Sequence, residues 1–274
     1  GVSRDDVGMS WLPLYHDMGL IGFVLTPIFY GAHIVSIAPM TFLKRPRVWL
    51  EAISRHRGTI TFAPNFAYGL VARRLRDSSI ENLDLSSWRI AGCGAEPIRP
   101  DTLELFAERL APAGFRKEAL LPVYGMAEAT LAVSFCGVDA PMHVDHVDAD
   151  LLAHHHIAIE AAPGSTPVPV VSCGKPFPGH ELAVMDTAGE IVEQRIVGEV
   201  VLRGPSVMPG YYENLEATEN AIRDGWLHTG DLGYIADGEL YICGRKKELI
   251  IVGGKNYYPQ DIEAAIWEVP DVRT

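Results

Sequence analysis

Cysteine is scarce and scattered: Cys93, Cys136, Cys173 and Cys243 lie far apart in a chain of 274 residues. No pair has the CxxC spacing of a zinc site, and a disulfide-stapled fold needs a far higher density. Reduced thiols in a cytoplasmic protein are the expectation. Positive charge is also in short supply, with 23 Lys and Arg against 35 Asp and Glu and a net charge of −12. That balance argues against nucleic acid as a partner, because a phosphate-backbone binder needs a basic surface. It leaves room for a single nucleotide held by a few local cations. An initiator Met and a basic leader are missing too, and the chain opens at Gly1 and stops at Thr274 just after an amphipathic run. It reads as a fragment of a longer protein.

Other absences narrow the chemistry. No GxSxG elbow occurs, so no Ser-His-Asp hydrolase is indicated. Gly253-Gly254-Lys255 resembles the end of a Walker loop, but the earlier glycine such a loop requires falls on Leu249. His154 to His156, with His143, His146, Asp145 and Asp148 upstream, are not expected to hold a metal, since adjacent histidines rarely converge on one ion. Charge is absent between Asp17 and Lys44, a length that could cross a bilayer. Pro27, Gly31 and His33 interrupt it, and no flanking belt is clear. A buried helix over 19–29 and a strand over 33–37 are expected there, with no transmembrane segment.

What is present alternates between strands and helices. Helices are expected over 47–56, where Trp49, Leu50 and Ile53 share a face, over 66–75, and over 102–110 with Asp101 as cap. Strands are expected over 59–63, 88–92 and 120–124. The fold class is therefore α/β, mainly parallel sheets with flanking helices. From 137 to 171 periodicity is weak and Pro, His, Asp and Ala abound, which suggests a long excursion or insertion. From Glu181 to Arg245 short hairpins predict a small antiparallel β subdomain. Near the end a strand from Leu249 and a helix from about Pro259, with Ile262, Ala265 and Ile266 on one face, start a small C-terminal α+β domain.

The densest chemistry lies in WLHTGDLGYIADGELYICGRKKELIIVGGKNYYP, from Trp226 to Pro259. Asp231 sits in a tight turn, as an acid that accepts both hydroxyls of a ribose would. Arg245 ends a strand where a guanidinium can meet ribose or phosphate oxygens; the bland alternative is a surface salt bridge of little worth. Upstream, Tyr124 ends a strand at a sheet's carboxyl edge, with Glu128 four residues later as a carboxylate fit for Mg²⁺. The turn Cys93-Gly94-Ala95-Glu96-Pro97 has little bulk, so backbone amides can approach a flat ring or an anion. Tyr15-His16-Asp17 stands at a strand-to-helix junction, where His16 could contact a substrate carboxylate.

Taken together, SWLPLYHDMGLIG, CGAEPI, VYGMAEAT, HTGDLG and GRKKELIIVGGKNYYPQDIE resemble, in order and over nearly the whole chain, the adenylate-forming superfamily of acyl-activating enzymes. Within it the chain looks like the fatty acyl-AMP ligases. The resemblance implies an acid–AMP ligase with ATP and Mg²⁺ as cofactors, a fatty acid as substrate and an acyl carrier protein as partner. Tyr124, followed by Gly125 and Met126, would stack on adenine, with Gly94, Ala95, Glu96 and Pro97 along the ring's other edge. Glu128 would hold Mg²⁺, Asp231 the ribose hydroxyls, and Arg245 the ribose or phosphate. His16 would line the acyl channel near the reacting carboxylate. Lys247 would be the hinge of the small domain, dividing 1–246, the large AMP-binding domain, from 247–274. The paired Lys246-Lys247 with Glu248 departs slightly from the commoner Lys-Asp ending and leaves that position open by one residue.

The family's phosphate loop and its C-terminal catalytic lysine have no counterpart in the sequence, so this chain by itself is expected to be inactive. Ala127, where the CoA ligases usually have Thr, and the long gap from Thr130 to Ser172 favour the acyl-AMP branch. An acyl-CoA ligase and a non-catalytic nucleotide-binding or interaction domain are the alternatives.

Overall fold

The computed structural model describes residues 2–75, 80–252, 255–257, 259, 262 and 266. It divides into two compact units, Gly1–His143 and Val144–Thr274. The first unit is built on one sheet. Its strands are β1 (Val7–Ser10), β2 (His33–Ser36), β3 (Ile60–Ala63), β4 (Ile90–Cys93), β5 (Leu120–Gly125) and β6 (Ala132–Phe135). They lie in the order β2-β1-β3-β4-β5-β6. All neighbours are parallel except β5 and β6, which run antiparallel. The carboxyl ends of β1, β3, β4 and β5 therefore share one edge, where ligands bind in open α/β sheets.

The helices of this unit are α1 (Asp17–Leu20), α2 (Thr26–Tyr30), α3 (Pro39–Lys44), α4 (Arg47–His56), α5 (Asn65–Arg74) and α6 (Pro100–Leu110). Trp49, Leu50 and Ile53 of α4, Tyr68 and Val71 of α5, and Leu103 and Phe106 of α6 are fully buried in one cluster. Trp49 sits at its centre, edge-on to Tyr68, Trp88 and Phe42 at 5.3 to 5.8 Å between ring centroids. Such contacts add to the hydrophobic gain of burying large rings. Ile60, Ile90 and Leu121, with the partly buried Phe62 and Val123, form a second cluster.

Two expectations are corrected here. The apolar stretch over 19–29 is not one buried helix. It breaks into α1, a π-helical turn at Ile21–Leu25 and α2, with Ile28 and Phe29 exposed. Pro27 has no N–H to continue an α-helical ladder. Thr26 closes the wider ring with both its N–H and its hydroxyl on the carbonyl of Ile21, the hydroxyl at 2.7 Å. Asp101 is likewise not a cap: α6 begins at Pro100 with Arg99 as N-cap, and Asp101 lies in the first turn, where a carboxylate favours the helix dipole. Proline at the first helical position moves the start forward.

At the opposite, amino-terminal ends of the strands, Asp6 ties three chain segments together. Its carboxylate accepts from Arg89 at 2.7 and 2.9 Å, from Thr59 Oγ1 at 2.8 Å and from the Ser3 N–H at 2.8 Å. Burial works against its ionisation, but these donors outweigh it and hold the carboxyl well below its usual value. A carboxyl with a lowered folded-state pKa stabilises above the unfolded value of about 4 and loses that contribution as pH falls. Asp6→Asn should therefore cost about 2 kcal/mol at pH 7, allowing for the partial exposure of Arg89. In urea unfolding the gap to the parent protein should close as pH drops below about 4. An unchanged gap would remove Asp6 from this role.

The second unit is mostly antiparallel. β7 (Val144–Asp148) pairs with β8 (Pro167–Val171), with α7 (Ala149–His155) between them in sequence. After the short β9 (Lys175–Pro176) come β10 (Glu181–Met185), β11 (Gly198–Arg203), α8 (Leu215–Ala221), β12 (Ile222–Arg223), β13 (Trp226–Ala236) and β14 (Glu239–Arg245). β10, β11, β13 and β12 follow one another across a sheet and β14 pairs with β13. A last hairpin joins β15 (Ile250–Val252) to β16 (Lys255–Tyr257). Gly253 and Gly254, where a glycine turn is expected, lie outside the described residues, as does most of the expected terminal helix, of which positions 259, 262 and 266 are helical.

From 144 to 171 the expected excursion is an ordered β–α–β element. Asp145 of β7 is buried, accepting from Tyr234 Oη at 2.9 Å and Arg195 Nη1 at 2.9 Å. Burial and the neighbouring Cys243 and Asp145 push the Tyr234 phenol far above its ordinary value, keeping it a neutral donor. Tyr234 also stacks on Tyr241 at 4.8 Å. The β7–β8 element is therefore fixed to the β13–β14 hairpin.

Candidate functional site

In unit 1, three strands of the parallel sheet deliver three of the expected regions to one sheet edge. β1 leads through Trp11 to His16, β4 into the turn Gly94 to Pro97, and β5 into Tyr124, Gly125, Met126 and Glu128. His16 is the N-cap of α1, its Nδ1 accepting from the Met18 N–H at 3.3 Å and standing 2.6 Å from Asp17 Oδ1. Half of its side chain is exposed. The Glu96 carboxylate accepts the Phe66 N–H, fastening the turn to the first turn of α5. What the turn can present to a planar ring is mainly backbone. Ala95 holds φ 67°, a left-handed conformation that costs a non-glycine residue about 1 kcal/mol.

Tyr124 is buried, opposite Ser134 on β6. At Gly125 a Cβ would stand 2.0 Å from the carbonyl oxygen of Leu131, so only glycine allows β6 to turn back against the end of β5. Met126 starts a 3₁₀ turn, Ala127–Ala129, that places the half-buried Glu128. Thr130 then adopts φ 69°, ψ −54° while Leu131 N donates to Ala129 O at 2.8 Å. That is a three-residue γ-turn of the strained sign, and such strain concentrates at functional positions. No sequence signal announces it, because threonine does not favour this conformation.

In unit 2, Asp231 and Arg245 lie directly opposite each other on β13 and β14. Arg245 Nε donates to Asp231 Oδ1 at 3.1 Å, and Asp231 is buried while Arg245 is 65% exposed. The exposed guanidinium can swing aside without unfolding anything, which suits a carboxylate that must accept other donors. The expected tight turn is absent: Asp231 lies inside β13, just past a bulge at the register shift between Glu199 and Val201, where Gly230 holds φ 72° and the Thr229 hydroxyl donates to Val200 O at 2.7 Å and accepts from the Asp231 N–H at 3.0 Å. After Arg245 the chain makes a β-turn closed by Glu248 N to Arg245 O at 3.1 Å. Lys247 occupies that turn, exposed and with no ion-pair partner among the described residues.

The profile of the AMP-binding enzyme family matches residues 1–212. The chain belongs to this family. It is similar to a putative acyl-CoA synthetase of Caulobacter vibrioides, 43% identical over 96% of this chain and 46% of that protein. It is similar to a medium-chain-fatty-acid–[acyl-carrier-protein] ligase of Moorena producens, 40% identical over 97% of this chain and 47% of that protein. A solved structure from work on the fatty acyl-adenylate ligases of E. coli and L. pneumophila superposes with a TM-score of 0.96. It shares 41% identity and covers all of this chain and 50% of that one. The chain spans about half the length of the curated relatives it matches. Among AMP-binding enzymes, then, the α/β frame and the antiparallel unit are shared architecture.

No helix among the described residues is long and apolar enough to cross a membrane. Nor do those residues contain a cluster of three or more His, Cys, Asp or Glu side chains fit for an ion. A single carboxylate such as Glu128 suits Mg²⁺, which takes most of its ligands from water and phosphate.

Proposed function

We propose that this chain carries the adenine, ribose and acyl side of an enzyme that activates a fatty acid as its acyl-AMP. One observation carries the reading: parallel β4 and β5 end side by side, setting the Gly94 to Pro97 turn beside Tyr124 and Glu128 at one sheet edge. In this reading Tyr124 stacks on adenine with Gly125 and Met126 beneath it, and the 94–97 backbone borders the ring. Asp231 accepts the ribose hydroxyls, Arg245 moves from Asp231 to ribose or phosphate oxygens, and His16 orients the fatty acid carboxylate. A carboxylate oxygen bonds to the α-phosphorus of ATP as the bond to the bridging oxygen breaks, and pyrophosphate leaves with that electron pair.

Glu128 would hold Mg²⁺, which when bound offsets the repulsion between two anions. Unit 2 has 9 Lys and Arg against 21 Asp and Glu, the whole of the net charge of −12. Its surface charge as a whole does not attract a triphosphate, so the ion and a few local cations have to. Lys247, in the turn after β14, is the pivot of the segment that follows.

The acyl-AMP branch is favoured over acyl-CoA synthesis by α7, which lies against β16, beyond that turn. A helix from the 137–171 element resting there would restrain the later segment and limit the rotation that builds a CoA site. Fatty-acid-dependent ATP–pyrophosphate exchange by the full-length protein tests the reading. Exchange with medium or long fatty acids and none with amino acids is expected. Equal exchange with both, or none with any fatty acid, would sink it.

A further inference from the structure

One carboxylate in unit 2 is faced by groups from β12, from β13 and from the turn after β14. Glu199, on β11, has a side chain only 11% exposed. Its Oε1 accepts the Gly230 N–H at 3.2 Å. Its Oε2 stands 3.2 Å from His228 Nδ1, 3.4 Å from Lys246 Nζ and 3.9 Å from Arg223 Nη2. Gly230 is held from its other side as well, because the Lys246 N–H donates to the Gly230 carbonyl at 2.8 Å. The contacts close a ring: Glu199 to the Gly230 amide, Gly230 carbonyl to the Lys246 amide, and the Lys246 ammonium back to Glu199.

We propose that Glu199 is a positioning residue for nucleotide use, locking the bulge of β13 at His228–Asp231 to Lys246 at the chain's exit from β14. The inference rests on the acyl-AMP reading above. Gly230, at φ 72°, sits immediately before Asp231, so the direction of its N–H fixes where the Asp231 carboxylate begins. Glu199 accepts that N–H with a carboxylate that His228 and Lys246 face at 3.2 and 3.4 Å. Burial opposes that charge, yet the His228 bond, the Lys246 charge and the Gly230 N–H together keep the carboxyl below its ordinary value. Lys246 stands one residue before the expected pivot, so movement there pulls on the same carboxylate that orders the β13 bulge ahead of Asp231. The ring thus couples the conformation after β14 to the placement of Asp231.

The test uses the full-length protein with Glu199→Gln and Glu199→Ala. Glutamine keeps an acceptor for Gly230 but loses the charge that holds Lys246 and His228; alanine loses both. The ATP KM should rise about tenfold in Glu199→Ala and less in Glu199→Gln. The fatty acid KM should stay within about twofold in both. Peptides covering 226–236 and 240–248 should lose hydrogen-exchange protection together, a readout independent of turnover. A rise in both KM values alike, or loss of protection with an unchanged ATP KM, would overturn the positioning role. A parent protein without fatty-acid-dependent exchange would instead sink the acyl-AMP reading, and calorimetric AMP affinity across the same variants would then decide Glu199 by itself. Equal affinity there also overturns it.

Discussion

Asp231→Ala should lower kcat/KM for ATP on the order of a thousandfold. Two charge-assisted hydrogen bonds to ribose hydroxyls are worth about 1.5–3 kcal/mol each, and each 1.4 kcal/mol is about a factor of ten. The fold should barely notice, because the ion pair it breaks has an exposed arginine, and such pairs contribute about 0–1 kcal/mol. Asp231→Asn keeps one acceptor oxygen and should fall between the two. Pyrophosphate exchange at varied ATP, with AMP binding by calorimetry, measures the loss. An Asp231→Ala enzyme within about threefold of the parent in ATP kcat/KM would remove Asp231 from the ribose role.

Glu128→Ala should lower kcat for adenylation on the order of a hundredfold, the scale of removing one fixed ligand from an ion that stabilises charge in the transition state. Glu128→Asp should recover part of that activity as Mg²⁺ is raised, since a shorter carboxylate still offers a hard oxygen. Fatty acid binding should be unaffected. If Glu128→Ala kept its rate and its Mg²⁺ dependence, the carboxylate would be no more than a surface group on the 3₁₀ turn.

Most of unit 1 was legible because its residues obey one rule at a time. Trp49, Leu50 and Ile53 alone predict a helix over 47–56, and α4 spans Arg47–His56 with those three buried. The strands at 59–63 and 120–124 were equally plain, being short, apolar and bounded by turn formers. The mainly parallel α/β frame followed from them.

The parts that were not legible broke a local rule with compensation from elsewhere in the fold. β7 alternates properly, but Asp145 shares the buried face with Val147, and a buried acid reads as surface until Tyr234 and Arg195 are known to meet it. β8 carries Pro167 and Pro169, which suggest a loop; a two-stranded sheet leaves edges where missing N–H groups do no harm. β6 was hidden because the γ-turn at Thr130 reverses the chain with no turn-forming residue. At 19–29 composition misled on both counts: Leu20, Leu25, Ile28 and Phe29 are exposed, and the π turn depends on Thr26 and Pro27 acting together.

The candidate residues were found as types more than as partners. Asp231 and Arg245 stood out in sequence, yet their register opposite each other came only with the hairpin. Glu199 was invisible in sequence. It sits in an ordinary β-strand, 29 residues before His228 and 47 before Lys246 in the chain, and nothing local marks it. The backbone-rich role of the 94–97 turn was suggested by its small residues, whereas the use of the Glu96 carboxylate as a tether for α5 was not.

The most direct measurement is to incubate the full-length protein with ATP, Mg²⁺ and a medium- or long-chain fatty acid and follow the acyl group by mass spectrometry. Separate reactions receive CoA or a holo acyl carrier protein. Acyl-AMP should form first and pass to the carrier's thiol, with CoA left unacylated. Rapid acyl-CoA formation at the expense of acyl-AMP would contradict the acyl-AMP ligase reading.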